Sequence, residues 1–122
     1  VGLLAYSPLA QGTLTGKYLN GQMPQGSRMA LFGDGPLMMR YKGKKTQRAI
    51  EMYVDIAKKF EIDPTQLAIQ FCNIQPFVTS NIIGATTMEQ LKICIDSIHL
   101  DINKEIMNEI RKVHKEIPNP AP

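Results

Sequence analysis

Between Ile83 and Leu91 an apolar run stops at a glycine and a capped helix begins at once, a junction where an anion could be held. Upstream, Val78-Thr79-Ser80-Asn81-Ile82-Ile83 is short, rich in β-branched residues and bounded by Pro76 and Gly84, which reads as a buried strand. Downstream, Thr87 and Gln90 have the spacing of a capping box, in which each side chain satisfies a free backbone N–H of the first turn. The N–H groups left over, at the positive end of the helix dipole, suit a phosphate. On these residues alone, Thr87 as a plain cap that binds nothing stands ahead of Thr87 at an anion site.

The chain has 122 residues and 43% hydrophobic content, enough for one domain if every element finds a partner. Fourteen Lys and Arg against eleven Asp and Glu leave a net charge of +3, spread along the sequence, which makes no case for nucleic acid. Arg40-Tyr41-Lys42-Gly43-Lys44-Lys45 reads as a solvated loop. No apolar run approaches the roughly 20 residues of a membrane span. Cys72 and Cys94 lie in apolar, helix-patterned segments without CxxC spacing or clustered His, so neither a metal site nor a disulfide is expected, and a reducing, cytoplasmic setting fits. Val1 opens directly on a strand-like run with neither a start Met nor a signal peptide, as the interior of something longer would.

These features need elements to position them. Val1 to Tyr6 is apolar without alternation, the pattern of a parallel strand covered on both faces. From Gln11 to Lys45 the sequence is rich in Gly and Pro and lacks sustained periodicity, so it is either a functional loop or disordered. A helix follows from Thr46, with Ile50, Tyr53, Val54, Ala57 and Phe60 on one face. The next starts at Asp63 as N-cap, with Pro64 in the first position and Gln66 closing a capping box, and buries Leu67, Ala68 and Phe71 before ending near Pro76. Met88, Leu91, Ile95 and Ile98 continue the stripe of the helix capped by Thr87, and Asn103 caps a last helix with Ile106, Ile110, Val113 and Ile117 on one side. The resulting blocks are 1–45, strand and loop; 46–76, helix pair; 77–98, strand and capped helix; 103–117, terminal helix. Strands separated by helices imply an α/β chain with parallel pairing. Two strands leave outer edges and apolar faces uncovered, so more sheet elsewhere, or association of copies, is expected.

Tyr6-Ser7-Pro8-Leu9-Ala10-Gln11-Gly12 with Leu14-Thr15-Gly16-Lys17-Tyr18 closely resembles the loop after the seventh barrel strand of the aldo-keto reductases. Gly26-Ser27-Arg28, the run from Ile83 to Leu91 and the helix start Asp63 to Ala68 fall in matching order. Phe77 to Ser80 and the ending His114 with Pro120-Ala121-Pro122 look most like the Tas-type branch, related to potassium-channel β subunits. The resemblance implies the C-terminal part of a (β/α)8 TIM barrel, strands seven and eight with their helices, incomplete at this length, since a full barrel needs roughly 250 residues.

It also implies NADP(H) as cofactor. Carried over by position, Tyr6 would lie against the nicotinamide, while Ser7, Pro8, Leu9 and Gly12 would belong to the loop folded over the pyrophosphate. Lys17 and Arg28 would bring positive charge to the phosphates; read without the family, both are ordinary solvated charges. Gly84, Thr86 and Gln90 would meet the 2′-phosphate and adenine region. Relatives commonly place Glu and Asn one turn further on, where this sequence has Ile93 and Cys94.

The acid-base set of the family, a Tyr, Lys, Asp and His on earlier strands, has no counterpart here, and no catalytic residue is assigned. The expectation is therefore a cofactor-binding part of an enzyme that reduces aldehydes or ketones, without catalysis by this chain alone. Its partners would be a small carbonyl substrate in the complete protein and the missing barrel part or further copies, with no nucleic acid and no membrane. The alternative is a truncated nucleotide-binding or structural and regulatory assembly element resembling the channel β subunits.

Overall fold

Asp63, Thr87 and Asn103 each begin a helix with a side-chain oxygen aimed at free N–H groups. In the computed structural model, which describes residues 1–122, all three cap as their types demand. Asp63 Oδ1 accepts from Thr65 N at 2.7 Å, Thr87 Oγ1 from Gln90 N at 3.1 Å and Asn103 Oδ1 from Ile106 N at 3.0 Å. The order of elements is β1 (Leu3–Tyr6), α1 (Arg28–Phe32), α2 (Pro36–Met39), α3 (Lys44–Lys59), α4 (Pro64–Asn73), β2 (Val78–Ile82), α5 (Met88–Asp96) and α6 (Lys104–Glu116), with short 3-10 turns at Ala10–Thr15, Leu19–Gly21 and Ser97–His99.

The two strands pair in parallel, Leu4 opposite Ser80, Ala5 opposite Asn81 and Tyr6 opposite Ile82. Their carboxyl ends therefore share one edge, and the Ser7 and Gly84 segments both leave from it. The core is helical: Ile56 and Ala57 of α3, Leu67 of α4 and Ile106, Ile110 and Val113 of α6 form one buried cluster. The faces read from periodicity in α3, α4 and α6 are the ones that pack. Asn81 fastens β2 to α4, its Nδ2 donating to the Ile69 carbonyl at 3.3 Å and to Asn73 Oδ1 at 3.2 Å.

Four expectations need correction. The segment from Gln11 to Lys45 is structured: it carries two 3-10 turns and two short helices around a small buried cluster of Tyr18, Met29 and Met38, whose irregular spacing gives no periodic signal. The stripe on α5 faces out, with Met88, Ile95 and Ile98 exposed and Cys94 and Ser97 buried instead, because the helix packs on α4 and a two-stranded sheet offers no surface to its apolar side. Neither capping box closes reciprocally: Gln66 Nε2 donates to the Ile93 carbonyl at 3.3 Å, and Gln90 Oε1 accepts from Thr86 N at 3.0 Å rather than from Thr87. The strands are uncovered rather than buried on both faces, with Leu3, Leu4, Tyr6 and Ile82 exposed.

Candidate functional site

The turn after β1 is built from backbone that side chains normally avoid. Ser7, Ala10 and Gln11 all have positive φ, at 58°, 48° and 60°, and Gly12 follows at 90°. Each non-glycine residue there costs about 1 kcal/mol, and such strain persists only where the surroundings enforce it. They do so here through Thr13, whose buried hydroxyl donates to the Ala10 carbonyl at 2.8 Å, and Thr15, which donates to the Gly12 carbonyl at 2.8 Å. The Leu9 carbonyl takes both Gly12 N–H at 2.9 Å and Leu14 N–H at 3.2 Å.

Two cations converge on this turn. Arg28 Nη1 donates to Gln11 Oε1 at 2.5 Å, and Gln11 Nε2 donates onward to Ser7 Oγ at 3.4 Å. Lys17 lies against Gly12, where a Cβ would meet its Cε at 3.2 Å and its Nζ at 3.3 Å, and its ammonium sits 5.2 Å from the centre of the Tyr18 ring. Tyr18 is itself buried, its hydroxyl accepting the Met29 N–H at 3.3 Å. Neither Lys17 nor Arg28 belongs to an ion pair with a carboxylate. Two cations without carboxylate partners beside a strained turn are complementary to an anion. The functional residues that sequence reasoning missed are Gln11, which links Arg28 to Ser7, and Thr13, which pins the turn. Membership of the quoted motif is the only advance signal for Gln11, and Thr13, between the motif's two parts, has none.

The second group lies at the start of α5. Gln90 Oε1 accepts from Thr86 N and from Thr86 Oγ1, both at 3.0 Å, so the single Thr86 hydroxyl proton is already engaged. The Gln90 amide nitrogen is left free to donate, as are the first-turn N–H groups of Thr87, Met88 and Glu89. Gly84 is open, with nothing within 4 Å of a built Cβ, so neither crowding nor a strained φ in this chain requires glycine there. Cys94 is buried toward α4, and burial, with Asp63 nearby, pushes its thiol above the ordinary range, leaving it no part in contacts at the surface.

Thus Ser7, Gly12, Lys17 and Arg28 come together, as do Thr86 and Gln90, while no hydrogen bond or ion pair joins the two groups. Tyr6 is exposed at the end of β1 and borders, with Ser7 and Pro8, a groove that does not reach Lys17, Arg28, Gly84, Thr86 or Gln90. No group of His, Cys, Asp and Glu is placed to hold a metal ion, and no helix is long and apolar enough to cross a membrane.

The chain is mixed α/β, with a glycine-containing, cation-flanked turn after one parallel strand and a capped helix after the next. Residues 1–115 match the model of the aldo/keto reductase family, and the chain belongs to that family. It is 51% identical over 122 residues to Protein tas of Escherichia coli (strain K12), across all of this chain and 34% of that protein. It is 36% identical to an aldo-keto reductase of Babesia bovis, over 93% of this chain and 41% of the relative. A probable voltage-gated potassium channel subunit beta of Oryza sativa subsp. japonica is 37% identical over 97% of this chain and 37% of its own length. The chain therefore spans about a third of the curated relatives it matches.

Proposed function

We propose that this chain is the NADP(H)-binding C-terminal part of an aldo-keto reductase, supplying strands seven and eight of a (β/α)8 barrel, and that the complete protein reduces aldehydes or ketones to alcohols. The observation that carries the reading is the parallel register of β1 and β2, which sends the Ser7–Lys17 turn and the Gly84–Gln90 turn out of one sheet edge. Barrel enzymes place their sites at that edge.

Bound there, the cofactor supplies the hydride, and this chain's own residues hold and orient it. The turn of Ser7, Pro8, Leu9 and Gly12 folds against the pyrophosphate, with the Leu9 N–H as donor because Pro8 has none and that of Gly12 is spent on the Leu9 carbonyl; Lys17 and Arg28 neutralise it, and Tyr6 presents an aromatic face to the nicotinamide. At the other end Gly84 leaves backbone bare for close approach, and the Gln90 amide donates to the adenosine 2′-phosphate, with Thr86 joining once its hydroxyl turns from Gln90. That contact is the basis for NADP over NAD. The acid that protonates the carbonyl belongs to strands outside these residues, so the chain alone binds without turning over. The setting is cytoplasmic, without nucleic-acid or membrane partners.

Titration with NADPH, read by nicotinamide fluorescence, tests this. A saturable response that weakens about tenfold in Lys17→Ala and again in Arg28→Ala is expected, since each removes a charge-assisted contact. No saturation, or full affinity in both variants, overturns it. With an added nitrobenzaldehyde the nicotinamide absorbance should stay constant.

A second reading rests on the uncovered sheet. Leu3, Leu4, Tyr6, Phe77 and Ile82 expose apolar surface on and beside two strands with unpaired edges, which favours an assembly element that pairs with the remaining barrel or with its own copies. Light scattering of a stable monomer would defeat it.

A further inference from the structure

Beside the turn after β1, a groove of about 650 Å³ opens between the end of β1, α3, α4 and α6, lined by Ser7, Pro8 and Ala10 of the turn but not by Lys17 or Arg28. That size falls in the range of about 300–1,000 Å³ typical of small-molecule sites. Ten of its sixteen lining residues are hydrophobic, Leu67, Ala68 and Phe71 from α4 and Met107 and Ile110 from α6 among them. None of the sixteen is Asp or Glu.

Two are basic. Arg111 and His114 stand one turn apart on α6, hence on one face of that helix. Arg111 has no acidic partner: Glu109, two residues before it, is taken by Lys112 at 2.7 Å and Lys59 at 3.8 Å. An unneutralised guanidinium bordering an apolar, acid-free groove is complementary to a molecule with a hydrocarbon body and an anionic head. A planar fork of N–H donors matches a carboxylate best. We propose that this groove binds a small amphipathic carboxylate, its hydrocarbon against α4 and α6 and its carboxylate on Arg111, with His114 beside it. The groove shares Tyr6, Ser7 and Pro8 with the proposed dinucleotide contacts, but its carboxylate end, at Arg111 and His114, involves neither Lys17 nor Arg28 and does not rest on that reading. Tyr53, also on the wall, has its phenol pushed up by burial and remains a protonated donor at neutral pH.

The test compares octanoate with octanol on the full chain, followed by methyl resonances of Met107, Ile110 and Ala68. Octanoate should shift them saturably and bind about tenfold more tightly than octanol, the factor expected of one charge-assisted contact. Arg111→Ala should abolish that difference while leaving octanol unchanged, and Arg111→Lys should retain part of it. Lys17→Ala should leave octanoate binding intact even if it weakens NADPH. Alkylation of Cys72, which lines the groove, should slow under saturating octanoate, whereas that of Cys94, which does not, should not. Equal affinity for the two probes, an Arg111→Ala variant that is folded and still prefers octanoate, or no saturable shift because a second copy of the chain fills the groove would each overturn the proposal.

Discussion

Gly12→Ala separates the two roles this position combines. At a φ of 90° an added Cβ is strained whatever the space around it, worth about 1 kcal/mol of stability. The new carbon also meets Lys17 Cε at 3.2 Å and Nζ at 3.3 Å, and because these are the far end of a flexible side chain, Lys17 moves and the backbone does not. The urea midpoint should fall by roughly half a molar, given a slope of about 2 kcal/mol per molar. NADPH affinity should fall about tenfold, the worth of one displaced charge-assisted contact.

Because the second effect runs through Lys17, it should not add to Lys17→Ala. A double-mutant cycle read by nicotinamide fluorescence should give Gly12→Ala/Lys17→Ala nearly the affinity of Lys17→Ala alone, while the stability loss persists in the double variant. Losses in affinity that simply add, or a Gly12→Ala chain with full affinity, would refute the placement of Lys17 over the turn.

Thr13→Val keeps the buried shape but removes the hydroxyl that donates to Ala10, and should cost about 1–3 kcal/mol in urea denaturation together with a loss of NADPH affinity. Asn81→Ala removes the side-chain donor to the Ile69 carbonyl and Asn73 Oδ1 together with a buried Oδ1 that itself has no partner, so it should cost only about 1 kcal/mol, with NADPH binding weakened only through β2, read by denaturation and titration in parallel. The carboxyl of Glu109 is held below its ordinary range, first by the hydrogen bond from Lys112, so its contribution to stability is complete above the ordinary carboxylate value and is lost as pH falls through the lower folded one. Lys112→Met should bring its titration back up, as followed by carbon-13 carboxyl shifts. Burial raises the thiols of both cysteines, so thiol-reactive dyes should label them slowly at neutral pH, Cys94 more slowly than the less buried Cys72.

Helix starts were legible because a cap is a local event: Asp63, Thr87 and Asn103 each answer donors within three residues. The faces of α3 and α6 were legible because each has a partner in the other. Periodicity on α5 announced an amphipathic helix equally well but says nothing of what lies opposite, and Met88, Ile95 and Ile98 face outward in a chain with only two strands. The cluster of Tyr18, Met29 and Met38 escaped notice because it is assembled by turns whose glycines reset the register between its members. Gln90 illustrates the finer limit, since a capping box names two residues, whereas the amide settles on the N–H and hydroxyl one position earlier.

The two halves of the candidate site differ in readiness. Around Ser7 the strained turn is already held by Thr13, Thr15 and the paired N–H groups on Leu9, and Lys17 and Arg28 are in place beside it, so the pyrophosphate of the proposed cofactor would not have to order it. At Thr86 the hydroxyl proton and the Gln90 oxygen satisfy each other, and that pair must open before the threonine can donate to a 2′-phosphate. On the proposed binding mode, preorganisation at one end and an internal hydrogen bond to break at the other would leave the common pyrophosphate contributing most of the affinity. On that mode, discrimination of NADPH from NADH would amount to the difference between two hydrogen-bonded states at Thr86 and Gln90. Substituting Gln90 by Ala should therefore change the ratio of the two affinities while barely changing the affinity for NADH.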